Sequence, residues 1–218
     1  IGFMATGDPS DPTRLTLAII REDLARIVAE RGASDPHLHY LDGRTLSYVD
    51  DGDGPAVVLG LGADLVAVQL DVLVHILDEE GFRVVRIELG DDTGASRADD
   101  ILAVMDHAGI ADAWVGGHGA AGAVARIVAR DHADRVNGIL LLSVLAEAEA
   151  DAELAAGMPV LLVHGTDDEV SPIEGAQRVQ AAASDRASLV SIPGGGHLFP
   201  ATHPGEAAFA ISEHLDRD

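Results

Sequence analysis

The sequence predicts an α/β protein built on an open, mostly parallel sheet of about eight strands, with helices on both faces. Three observations lead there. From residue 56 onward, short apolar runs alternate with longer helical stretches. Those runs are apolar at consecutive positions, as strands covered on both faces require. Ahead of them stand two alternating segments joined by Asp42-Gly43, a dipeptide that favours the two-residue hairpin turn.

The elements follow in chain order. Residues 1–12 are polar and carry Pro9 and Pro12, which predicts a flexible tail. Residues 13–218 are expected to form one domain, a length that suits a single core. Thr13 to Arg31 reads as an amphipathic helix, with Leu17, Ile20, Leu24, Ile27 and Val28 near one face and Gly32 at its end. The hairpin strands are expected at His37–Leu41 and Thr45–Asp50. Six apolar runs predict the remaining strands: Ala56–Leu59, Arg83–Ile87, Ala113–Val115, Gly138–Leu142, Val160–His164 and Ser188–Ile192. Helices are expected over 64–79, 97–108, 120–131, 146–156, 173–183 and 204–215. The stretch 146–156 is little more than Ala, Glu, Asp and Leu, and its composition also fits a linker.

Charge and composition exclude several classes of function. The net charge is −23, and all 14 basic residues are arginine. A field of that sign repels nucleic acid and anionic membrane, so neither is an expected partner. Two readings of the acidity stand: solubility in an alanine-rich composition, or a salt-adapted surface. There is no cysteine, which removes disulfides, thiolate catalysis and cysteine-ligated metal. No apolar run reaches the roughly 18 residues of a membrane span. The first residues show no basic region followed by an apolar stretch, so no signal peptide is expected and a cytoplasmic location is.

The most informative segment is Trp114-Val115-Gly116-Gly117-His118-Gly119-Ala120-Ala121-Gly122-Ala123. It follows an expected strand and opens an expected helix. A sharp strand-to-helix turn brings two backbones close together, and larger side chains beside it would clash. Taken alone, Gly117-x-Gly119-x-x-Gly122 also fits a dinucleotide-binding turn. Three further segments accompany it. Tyr40 to Leu59 forms a hairpin leading into a strand. Leu161-Leu162-Val163-His164-Gly165-Thr166-Asp167-Asp168 is followed by Pro172, and Ile192-Pro193-Gly194-Gly195-Gly196 leads into His197.

Together these segments, spanning nearly the whole chain, resemble the α/β-hydrolase fold superfamily of serine esterases and lipases. Its nucleophile elbow usually reads Gly-His-Ser-x-Gly-Gly; here Gly119 stands at the serine position. The resemblance implies Asp168 as the acid, because the family's acid precedes a proline by four residues, a spacing that Asp167 does not have. It implies His197 as the histidine, and an oxyanion hole from the amides of Ala120 and Ala63, the latter following Leu61-Gly62 where the family often has His-Gly. His118 is expected to point away from the site. Only about 14 residues separate Ser143 from Met158, enough for a crossover helix, so no lid domain is expected. Ser143 itself reads as a strand-end residue bonding backbone.

In a working member, histidine takes the serine proton and the acid orients the histidine. Gly119 has no hydroxyl. The expected function is therefore that of a protein related to carboxylic ester and acyl hydrolases, inactive or impaired as it stands. Two alternatives remain: a non-catalytic ligand-binding or scaffold protein on the same fold, and an enzyme in which His197, backed by Asp168, acts as general base on water. The expected partner is a small ester or acyl compound, with no cofactor and no metal. His37 and His39 alternate on a strand without a supporting carboxylate and read as a surface pair.

Overall fold

The computed structural model describes residues 36–41, 44–89, 94–145 and 154–215. The expected tail over 1–12, the expected helix over 13–31 and most of the stretch 146–156 lie outside the described residues.

Among the described residues eight strands form one sheet. They are β1 (His37–Leu41), β2 (Arg44–Asp51), β3 (Ala56–Leu61), β4 (Arg83–Glu88), β5 (Ala113–His118), β6 (Val136–Leu142), β7 (Val160–Gly165) and β8 (Ala187–Ile192). Their order across the sheet is β1-β2-β4-β3-β5-β6-β7-β8. β1 pairs with β2 and β2 with β4 antiparallel; every other pairing is parallel. The helices are α1 (Asp71–Glu79), α2 (Ala95–His107), α3 (Ala121–Asp131), α4 (Glu174–Ala182) and α5 (Pro204–Leu215), with a single helical turn at Phe199–Thr202. None of the described helices is long and apolar enough to cross a membrane, and no lid domain stands among the described residues.

The strand sequences explain the two-sided core. Side chains alternate across a strand, so a run such as Val57-Val58-Leu59 feeds both faces. Val58, Val85, Val115, Ile139, Leu141 and Leu162 pack with α2, α3 and α4 through Ile101, Val104, Val124, Val128 and Val179. Val57, Leu59, Val84, Leu140, Leu161 and Val163 pack with α1 and α5 through Leu73, Leu77, Ala207 and Ile211. Each fully buried aliphatic side chain contributes about 1.5–3 kcal/mol relative to exposure. That face-by-face sorting is what holds the strand order.

Strand positions match the sequence expectation to within a few residues; the helix expected over 64–79 does not begin where the pattern placed it. Residues 62–66 form a turn, Ala67–Leu70 a 3-10 turn, and α1 starts only at Asp71. Two interactions set this delayed start. The Gln69 side chain accepts the Val66 amide at 3.0 Å. Arg86, on β4 and only 1% exposed, reaches the Ala67 carbonyl, Asp71 at 2.6 Å and Asp51 at 2.5 Å. A guanidinium has five donors and no acceptor, so one buried arginine fastens a strand, a turn and a helix start together. The delay leaves Asp64 in the turn beyond β3, at the sheet edge where the other loops gather.

Candidate active site

The site lies at the carboxyl ends of the parallel strands, where open α/β sheets present their clefts. β5 ends at His118, and Gly119 turns the chain with φ +55°, in the left-handed region that suits glycine. The Gly119 amide donates to the Leu142 carbonyl at 2.9 Å, so the ladder with β6 runs on into the turn. Gly117 is required for a different reason. A Cβ there would lie 2.3 Å from the Ala121 carbonyl carbon, so only glycine lets the strand and α3 approach this closely.

His197 sits in the turn after β8, and Asp168 in the turn after β7. Asp168 is buried, and its oxygens stand 2.9 and 3.2 Å from His197 Nδ1. The carboxylate also accepts the amides of Val170 and Ser171 at 3.0 and 2.8 Å. Burial pushes the Asp168 carboxyl up most strongly. The Ser171 amide and then the His197 ring outweigh it, and leave the group below its ordinary range. Asp167, exposed, instead accepts the Thr166 hydroxyl at 2.8 Å. A Cβ built on Gly119 would stand 3.4 Å from His197 Nε2. Gly119, Asp168 and His197 are therefore neighbours.

Asp64 is the residue that sequence reasoning missed. Its Oδ2 lies 3.0 Å from His197 Nε2 and would lie 3.6 Å from a Cβ on Gly119. The carboxylate thus stands where a seryl oxygen at 119 would meet the histidine. Positive charge on the His118 side is what would hold the Asp64 carboxyl down at about 2, against the rise that burial imposes.

His118 departs from its expected orientation. Its ring centroid is 4.7 Å from that of His197, and its Nδ1 is 3.5 Å from Asp64 Oδ2. Its Nε2 lies 2.8 Å from the His197 carbonyl oxygen. That carbonyl also accepts the Ser143 hydroxyl at 2.9 Å, so Ser143 bonds backbone and is not presented as a nucleophile. Asp64, His118 and His197 each bring one ligand atom within 4.8 Å of the others, a grouping able to hold a metal ion.

Ala63 lies in the turn after β3, next to Asp64, and Ala120 follows Gly119 just before α3. A small recess lined by Gly122, Ala123, Arg126, Leu141, Val144 and Leu145 opens beside Gly119. His37 and His39 are remote, stacked on Tyr48 and packed against His107.

Residues 56–203, more than half of the chain, match the alpha/beta hydrolase family. The chain belongs to that family. Solved hydrolase structures share the fold. A thermophilic esterase from Thermogutta terrifontis is 21% identical with a TM-score of 0.70, the match covering 84% of this chain and 99% of that one. Est1E from Butyrivibrio proteoclasticus is 20% identical with a TM-score of 0.69, covering 84% and 98%. A CIB-like hydrolase from Thermoplasma acidophilum is 18% identical with a TM-score of 0.68, again covering 84% and 98%. No curated protein matches the sequence.

Proposed function

We propose that this alpha/beta hydrolase is related to carboxylic ester hydrolases, takes a small ester or acyl compound in its cleft, and lacks serine acyl transfer as it stands. The observation that carries the reading is Gly119. The turn has the elbow's backbone, with φ +55°, and faces a histidine backed by a carboxylate, but it offers no hydroxyl. Asp168 and His197 fill the acid and histidine roles in this reading, and the amides of Ala63 and Ala120 the oxyanion hole. Asp64 acts against acyl transfer. An ionised carboxylate beside the reacting carbonyl opposes the negative charge that develops on the carbonyl oxygen.

The test is turnover of p-nitrophenyl acetate with a chelator present. The unaltered protein is expected to stay at background. Gly119→Ser should create weak hydrolysis that adding Asp64→Ala raises, and adding His197→Ala to either variant should abolish it. Turnover by the unaltered protein that disappears in His197→Ala would overturn the reading in favour of general-base chemistry on water. A second reading, a ligand-binding protein without catalysis, draws on Asp64 Oδ2 holding His197 Nε2 at 3.0 Å, the nitrogen a base would use. A folded Gly119→Ser, Asp64→Ala double variant with no turnover would put that reading first.

A further inference from the structure

We propose that Asp64, His118 and His197 form a binding site for one divalent transition-metal ion of the zinc class. The reasoning begins with where the protons must be. His118 Nε2 faces the His197 carbonyl, which only accepts, so Nε2 carries the ring's proton. His197 Nδ1 faces the two oxygens of Asp168 and carries its proton for the same reason. In their neutral forms both rings then turn a bare nitrogen toward the same point, His118 Nδ1 and His197 Nε2. The third group there is Asp64 Oδ2, at 3.5 and 3.0 Å from those nitrogens. Three acceptors converge with no donor among them.

Such a point needs positive charge. A second proton on His197 would satisfy Asp64 and leave His118 Nδ1 unmet, and that atom has no hydrogen-bond partner among the described residues. A second proton on His118 would charge a ring that is 0% exposed. One divalent ion meets all three groups at once. The spacing agrees at Asp64: ligand bonds of about 2.0–2.2 Å in a tetrahedral site put ligand atoms roughly 3.3 Å apart, its separations from the two nitrogens are 3.0 and 3.5 Å, and all three atoms lie within 4.8 Å of one another. Both histidines also have the outer partners that metal-binding imidazoles use, a carboxylate for one and a backbone carbonyl for the other.

Gly119 gives the site an open side. Its missing Cβ would stand 3.4 Å from His197 Nε2 and 3.6 Å from Asp64 Oδ2. Three protein ligands with one open position is the arrangement of catalytic zinc, which lowers the pKa of a bound water to about 7. The ion would therefore hold a water where the elbow has no hydroxyl. Metal binding is read without any substrate, so it stands or falls apart from the ester reading.

The test uses the full chain, stripped with chelator and dialysed, then titrated with Zn2+ and with Co2+ in roughly 0.15 M salt and excess Mg2+. Salt and Mg2+ suppress loose association with the acidic surface. The expected result is one ion per chain, a Co2+ visible spectrum of four- or five-coordinate type, and a thermal midpoint raised by Zn2+. Asp64→Ala and His118→Ala should each weaken binding by about tenfold or more, while Asp185→Asn, remote from the site, leaves it unchanged. Asp64 is 45% exposed at its side chain, so its alanine variant keeps the test decisive if the buried His118 variant fails to fold. No saturable binding, several weakly held ions per chain, or an affinity that Asp64→Ala leaves unchanged would overturn the proposal.

Discussion

Gly119 and Ser143 both place their backbone in the left-handed region, at φ +55° and φ +50°. Only one is a glycine. A side chain at 119 would be strained by its backbone more than by crowding, since its Cβ would touch His197 Nε2 at 3.4 Å. Gly119→Ser is therefore expected to lower unfolding free energy by about 1–3 kcal/mol, read from urea titration. A variant as stable as its parent would mean that the turn relaxes to negative φ. Ser143 bears the same strain and offsets it with the hydroxyl bond to His197. The sequence made part of this cluster legible. Motif order brought Asp168 and His197 forward together, and the distance to Pro172 chose Asp168 over Asp167. Asp64 was not legible. In sequence it is one acid at the front of an apolar helical pattern, and its place depends on how the chain turns after β3. The position of His118 was legible but not its ring orientation, which a backbone carbonyl 79 residues away decides.

At the scale of elements, periodicity located the strands because burial on two faces leaves uninterrupted apolar runs. It failed where hydrogen bonds override it. The pattern from 64 to 79 is continuous in hydrophobicity, yet α1 waits for Asp71 because Arg86 draws Asp71 and the Ala67 carbonyl toward β4. Arg86→Met keeps much of the side-chain volume and removes these ties from Asp51, Asp71 and Ala67. It is expected to cost about 3 kcal/mol, the low end for breaking a buried ion pair, because the two carboxylates are 19% and 14% exposed. An unchanged thermal midpoint would mean that the buried arginine does not fasten α1. The same variant should disturb Asp64, which lies between β3 and the tethered turn.

For the whole molecule the dominant quantity is the net charge of −23. Carboxylates repel one another across the surface, and counterions screen that repulsion over a Debye length of roughly 10 Å at 0.1 M and 3 Å at 1 M. The thermal midpoint should rise between low and molar sodium chloride; a flat or falling midpoint would remove salt adaptation as a reading of the composition. The sheet itself carries a further consequence. Among the described residues β8 is an edge strand, paired only with β7, and edges ordinarily open first. Yet the carbonyl of His197, just beyond that edge, is held by His118 and Ser143 from the ends of β5 and β6, inside the sheet. In amide hydrogen exchange, residues 193–198 should therefore open together with the central strands and not with the fraying rim. In Ser143→Ala that segment should exchange ahead of them, as a separate and less protected unit.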